Sequence, residues 1–221
     1  MYRRDPIHIP IPIIPVNLPH PSKIVCVGRN YLEHARELGN DVPERPLIFL
    51  KPSSSLIGEG DAIVLPAASN QVEHEGEIAL VIGTRARNVS AADAWDYVAG
   101  VAPLNDVTAR DLQKTDGQWT RAKGFDTFCP LGTPVPVATE DREGLEVICR
   151  VNGEVRQQGR ASEMAFSIPV LIEYISAVMT LEPGVVIATG TPAGISMLSP
   201  GDVVEVEIPG VGKLSNPVRA A

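Results

Sequence analysis

Residues 71–83 read QVEHEGEIALVIG and place Glu73, Glu75 and Glu77 at every second position before an apolar run. On a β-strand these side chains would share one face, about 6–7 Å apart, because successive residues alternate sides. Like charges so placed repel, and each must be solvated or neutralised. One chemistry is a solvent-facing edge, where acids discourage strand pairing. The other is a hard-cation site, since carboxylate oxygens suit Mg²⁺, Mn²⁺ or Ca²⁺. Asp106, in PLNDVT, ends another apolar strand and could complete such a site. His34 and Glu37 lie three apart in NYLEHARELG. On a helix they share a face, where the carboxylate can orient the imidazole as a base. The same pair is also common on a plain solvated helix face. Lys123, in RAKGFDTFCPLG, is a further ionisable residue, and TGTPAG (189–194) is a turn lacking the P-loop pattern.

The elements that must position these residues are mostly strands. Six prolines in residues 1–22, with the alternation IHIPIPI, predict an extended N-terminal arm. A domain over 23–221 follows. Its predicted strands are 23–28, 45–52, 62–66 and 101–108, with a brief helix over 30–39 closed by Gly39. Ser90 and Asp93 have capping-box-like spacing for a helix reaching 98–100, and Thr108 is placed to cap the turn ARDLQK. Asn152-Gly153 joins two alternating runs within 145–159 into a hairpin. Ser167 precedes an amphipathic helix that ends before Pro183-Gly184, and the tail is again strand and turn. The fold class is mainly β with few helices, its sheets packed as a sandwich or roll.

A chain of 221 residues fits one domain of ordinary size, and 44% hydrophobic residues suffice for a core. The net charge of −8 argues against a nucleic-acid partner and requires local positive charge to attract any anionic substrate. Cys26, Cys129 and Cys149 are odd in number and far apart, which speaks against a disulfide framework and for a reducing, cytoplasmic setting. Prolines interrupt the only early apolar stretch, and no run approaches the roughly 20 residues that span a bilayer. A soluble protein without a membrane partner is expected.

In order and spacing, KIVCVGRNYLEHARELG, PLIFLKPSSSLIG, HEGEIALVIG, LNDVTARDLQ, WTRAKGFDTFCPLG, VNGEVRQQG and IATGTPAGI resemble the fumarylacetoacetate hydrolase family. The likeness covers residues 23–208 and looks closest to the short bacterial branch and its mitochondrial acylpyruvase relatives. It implies a mixed β-sandwich roll, usually a homodimer. It implies a metal site of Glu75, Glu77 and Asp106 for Mg²⁺ or Mn²⁺, with Ca²⁺ able to occupy it in a crystal. It implies a His34–Glu37 dyad in a segment like the family's substrate-ordered lid, with Lys123 beside the metal. Gln113 and Thr191 correspond to substrate contacts, and Arg29, Asn30 and Tyr31 to residues flanking the pocket. One departure stands out: many relatives carry two histidines where this chain has Glu73-His74.

The implied reaction is cleavage of a C–C bond in a small 2-oxo acid, an acylpyruvate such as fumarylpyruvate or acetylpyruvate, through a pyruvate enolate. Oxaloacetate decarboxylation would use the same enolate. The nearest rival is a 2-hydroxyhepta-2,4-diene-1,7-dioate isomerase or an oxaloacetate tautomerase. A non-catalytic β module holding structural Ca²⁺ would leave His34, Glu37 and Lys123 without a role.

Overall fold

In the computed structural model of the chain, residues 21–37, 39, 41 and 43–221 are described. The proline-rich arm therefore lies, except for residues 21 and 22, outside the described residues. Strand β1 (Ile24–Gly28) leads through helix α1 (Leu32–Glu37) to β2 (Leu47–Lys51), and β3 (Leu56–Ile57), β4 (Ile63–Leu65), β5 (Val72–Glu73) and β6 (Gly76–Ile82) follow. Next come β7 (Val98–Asn105), β8 (Thr108–Ala109), α2 (Arg110–Asp116), α3 (Thr120–Lys123) and β9 (Cys129–Pro130). The last elements are β10 (Glu146–Val151), β11 (Glu154–Arg160), α4 (Ile168–Val178), β12 (Val186–Ala188), β13 (Val203–Ile208) and β14 (Gly212–Ala220).

Two five-stranded sheets dominate, ordered β2-β1-β12-β6-β7 and β11-β10-β13-β14-β4. Strands β10, β13 and β14 cross β6 and β7, so the mainly β sandwich expected from the sequence is the observed architecture. Strand β6 is buried on both faces. Ile78, Leu80 and Ile82 enter the core between the sheets, together with Val147, Val204, Val206 and Ile175 of α4. Ala79 and Val81 point the other way, into a smaller cluster with Ile24, Cys26, Leu104 and Cys129. Because side chains alternate along a strand, this second face is also where Glu77 points. Helices α2 and α3 pack by that side, against one another and against β2, β5 and β8.

The hairpin follows its turn dipeptide: Asn152 and Gly153 both take positive φ, 54° and 81°, as a type I′ turn requires. Two expectations need correcting. Residues Ala91–Tyr97 form a 3₁₀ helix, and the Ser90 hydroxyl is spent on the Asp93 carboxylate at 2.7 Å instead of capping the backbone. Thr108 is a residue of β8, and its hydroxyl donates to the Asp106 carbonyl at 2.8 Å; the residue before α2 is Ala109. In both cases a nearby acceptor competes with the helix for the hydroxyl. Ser167 does precede α4, also without a side-chain cap. All three cysteines are buried and free, and no described helix is long and apolar enough to cross a membrane.

Gly194 shows how tightly the two sheets approach. Its φ is +104°, and a Cβ there would sit 1.9 Å from the Arg156 carbonyl oxygen of β11. Gly194→Ala must therefore displace the 189–194 turn or the hairpin. A stability loss of about 1–3 kcal/mol is expected, read as a lower denaturant midpoint at unchanged slope; an unaltered midpoint would contradict this packing.

Candidate functional site

The acid group follows from strand register. In the antiparallel β6–β7 pair, Gly76 faces Asn105 and Glu77 faces Leu104. The ladder runs one step further, with the Asp106 N–H donating to the Glu75 carbonyl at 2.8 Å. Glu75, Glu77 and Asp106 thus converge at one end of the pair, their ligand atoms within 4.8 Å of one another and all three side chains buried. The acid series does not run along a single strand, as the sequence pattern suggested. β5 ends at Glu73 and β6 begins at Gly76, so Glu73 stays outside this group.

Three cations meet the acids. Lys123 Nζ bridges Glu75 Oε2 at 2.7 Å and Asp106 Oδ2 at 2.6 Å. Lys51 Nζ donates to Asp106 Oδ1 at 2.5 Å, and Arg110 pairs with Glu75 Oε1 and, at 2.7 Å, with Glu73 Oε2. Burial alone would raise the Glu75 pKa, but Lys123 and Arg110 outweigh it and hold the carboxyl well below its usual range. Glu77 goes the other way: burial, then Asp106 and Glu75, push its pKa well up. Its Oε2 accepts the Gly190 N–H at 2.8 Å, and among the described residues it has no ion pair. Burial disfavours the Lys123 ammonium, yet Asp106 and Glu75 push its pKa up to about 12.

The dyad closes over this group. His34 Nδ1 lies 3.1 Å from Glu37 Oε2, and Glu37 Oε1 accepts the Gly194 N–H at 3.0 Å. His34 is buried and lies close enough to Glu75 to help lower its pKa. Thr191 donates to the Gly76 carbonyl at 2.9 Å and accepts from Gln157 Nε2 at 2.7 Å. Gln157 uses its whole amide here: Oε1 accepts from Gly76 N–H and pairs with His74 Nδ1, each at 2.9 Å, while Nε2 also donates to Pro192 O. One side chain of the second sheet thereby ties the backbone between Glu75 and Glu77 to the turn that holds Glu37.

A cavity of about 340 Å³ opens on the acids and is lined also by Arg29, His34, Gln113, Trp119, Lys123 and Thr191. The structure therefore brings together most of the residues singled out in the sequence. Asn30, Tyr31 and Glu37 are not in the lining. Asn30 braces backbone, exchanging hydrogen bonds with Phe166 N–H and O and with Thr189 O, and Tyr31 is buried with its hydroxyl unpartnered. Lys51, Arg110 and Gln157 were missed. A lysine closing the apolar strand LIFLK, and an arginine opening a helix against its macrodipole, were the available signals. Gln157 gave none beyond its place in the hairpin alternation.

The donor set suits a hard divalent cation. It consists only of carboxylates, as Mg²⁺ and Mn²⁺ prefer, and Lys123 already places positive charge between two of them. Each carboxylate oxygen has two lone pairs, so the hydrogen bonds to lysine and arginine leave acceptor capacity for an ion. Glu77, lacking a cationic partner among the described residues, is the carboxylate whose burial a metal would compensate.

The fumarylacetoacetate (FAA) hydrolase C-terminal family matches residues 23–219. The chain is 48% identical over 198 residues to a mitochondrial oxaloacetate tautomerase of Arabidopsis thaliana, covering 87% of this chain and 89% of that one. Among solved structures, a 5-carboxymethyl-2-hydroxymuconate delta-isomerase from Mycobacterium smegmatis superposes with TM-score 0.84 at 48% identity, over 91% of this chain and 80% of that chain. A fumarylpyruvate hydrolase from Pseudomonas aeruginosa, in complex with Mn²⁺ and pyruvate, superposes with TM-score 0.86 at 29% identity, over 92% and 91%.

The opposed shifts of Glu75 and Glu77 give the metal-free protein a defined pH response. Glu77, raised in the folded state, costs nothing below its unfolded pKa near 4.5, and destabilises progressively as pH rises towards its folded value. Glu75, depressed, stabilises above about pH 4.5 and loses that contribution in acid. Cation binding would then displace a proton from Glu77, so Mn²⁺ affinity should rise with pH until Glu77 is ionised in the folded protein. Calorimetry in two buffers of different ionisation enthalpy would detect the released proton; a pH-independent affinity would contradict the assignment.

Proposed function

The chain belongs to the fumarylacetoacetate hydrolase family, whose members are metal-dependent enzymes, and on that premise we propose that it hydrolyses a C–C bond of small acylpyruvates. The observation that carries this reading is the His34–Glu37 pair at 3.1 Å, anchored by Gly194, with His34 lining the same cavity as the acid group. A cation held by Glu75, Glu77 and Asp106 would supply Lewis-acid stabilisation of negative charge on the 2-oxo acid oxygens.

The remaining chemistry falls to the side chains. His34 offers Nε2, since Nδ1 is engaged by Glu37, and takes a proton from water as its oxygen bonds to the distal carbonyl carbon. Glu37 stabilises the resulting imidazolium and fixes its orientation. The C–C bond then breaks, its electron pair passing into a pyruvate enolate whose charge the Lys123 ammonium stabilises. Protonation at C3 from His34 gives pyruvate and a carboxylic acid, and the proton count closes. Gln113, Thr191 and Arg29 line the cavity where the substrate would lie. Decarboxylation of oxaloacetate would reach the same enolate without water.

A second reading is favoured by the oxaloacetate tautomerase and the delta-isomerase among the relatives. Keto–enol transfer on a 2-oxo diacid needs the enolate stabilisation but no activated water. The two readings separate at His34. His34→Ala should lower acylpyruvate hydrolysis by about 10²–10⁴-fold, the usual contribution of a general base, with substrate binding changed far less. Glu37→Gln should lose less, because an amide still holds the imidazole. The assay pairs acetylpyruvate and fumarylpyruvate with oxaloacetate tautomerisation, with Mg²⁺ or Mn²⁺ and with EDTA. Wild-type hydrolysis in His34→Ala would put the isomerase reading first, and turnover unaffected by EDTA would sink both.

A further inference from the structure

Glu73 has no part in the reaction as drawn, yet it is almost fully buried. Its carboxylate is outside the acid group and does not line the cavity. Oε1 accepts from Gln71 Nε2 at 2.6 Å, and Oε2 accepts from Arg110 Nε at 2.7 Å. The other nitrogens of that guanidinium face forward: one donates to Gln113 Oε1 at 2.5 Å and the other to Glu75. Arg110, Gln113 and Glu75 all line the cavity. The guanidinium is thus gripped from behind at Nε while its terminal N–H edge meets the site.

Such a grip is needed. Arg110 is the first residue of α2, where a cation opposes the helix macrodipole, and a free arginine side chain carries high rotamer entropy. The backbone holds the same point, with Arg110 N–H donating to Gln71 O at 2.7 Å and Glu73 paired with Thr108 across β5 and β8. Glu73 and Arg110 are therefore fixed to each other by main chain and side chain alike.

We propose that Glu73 is a positioning residue that holds Arg110 so that its terminal N–H groups can receive the carboxylate of an anionic 2-oxo acid beside the metal ligands. The inference rests on the proposed function and extends it. Charge alone predicts the opposite effect. Four carboxylates, Glu73, Glu75, Glu77 and Asp106, are set against the cations Lys51, Arg110 and Lys123, so with all four ionised a bound dication leaves a net charge of about +1. Removing Glu73 makes the site more positive, which would tighten anion binding if position did not matter.

The test titrates Mn²⁺ into the full chain, then oxalate into the Mn²⁺-loaded protein, by calorimetry. Glu73→Ala should weaken oxalate binding by about tenfold or more, the scale of a hydrogen bond to a charged group, while Mn²⁺ affinity moves much less. Glu73→Gln, whose amide oxygen can still accept from Nε, should recover most of the loss. Arg110→Lys, with Glu73 intact, should reproduce the loss and keeps the proposal testable if Glu73→Ala does not fold. Tighter oxalate binding in Glu73→Ala, or a lowered melting temperature with oxalate affinity unchanged, overturns it. Unchanged oxalate affinity in Arg110→Lys does so too. Wild-type protein that takes up neither Mn²⁺ nor oxalate overturns the proposed function together with this inference, whereas normal wild-type binding with unaffected variants overturns the inference alone.

Discussion

Glu75, Glu77 and Asp106 are buried with their oxygens within 4.8 Å of one another, and the neutralisation of that charge shapes everything around it. Leaving one buried charge uncompensated costs about 3–5 kcal/mol, a large part of the stability of an ordinary domain. Lys51 arrives from β2, Arg110 from α2 and Lys123 from α3, each bonded to at least one acid. Those elements must dock on the same face of the β6–β7 pair for the cluster to form. The site is thus also a stitching point of the fold. Glu77, supported by a backbone N–H alone among the described residues, is where the compensation is incomplete and where a cation fits.

The two faces of β6 divide the labour. Ile78, Leu80 and Ile82 bury apolar surface between the sheets, while on the other face Ala79 and Val81 pack into the smaller cluster and Glu77 lines the cavity. Rigid packing on one face gives the other a fixed platform for its carboxylates. Gly76 lies where the two meet: a Cβ there would come 2.8 Å from Cys149 Cβ of the opposite sheet. Gln157 exploits that closeness, coupling the sheet that carries no ligand to the backbone between Glu75 and Glu77 and to the 189–194 turn.

The family includes hydrolases, isomerases and decarboxylases. In the proposed mechanism the acid group with its cation and Lys123 stabilise an enolate, and the outcome depends on which group supplies or removes a proton. In the proposed reaction the proton is handled by the His34–Glu37 pair, on a short helix outside both sheets and joined to the platform through Gly194. The acids gather at the end of the β6–β7 pair and Lys123 comes from α3, whereas His34 and Glu37 lie on the segment that connects β1 to β2.

Local features were readable from the chain alone. Asn152-Gly153 dictates its turn because both residues tolerate positive φ, the amphipathic stripe of α4 follows from helical period, and the three-residue spacing of His34 and Glu37 makes their contact on any helix. The likeness of several ordered motifs extended this reading to the acid group. What it did not reach were the partners. Lys51 and Asp106 are 55 residues apart, Arg110 and Glu75 35, and Gln157 and His74 83. Periodicity reveals which face a side chain occupies, but not which distant segment will cover that face. Glu73 is the clearest case: its alternation with Glu75 and Glu77 suggested one shared row. The break between β5 and β6, and the docking of Arg110 from α2, separated it from them. Buried charge selects its counter-charge only when tertiary packing excludes water and brings the two together.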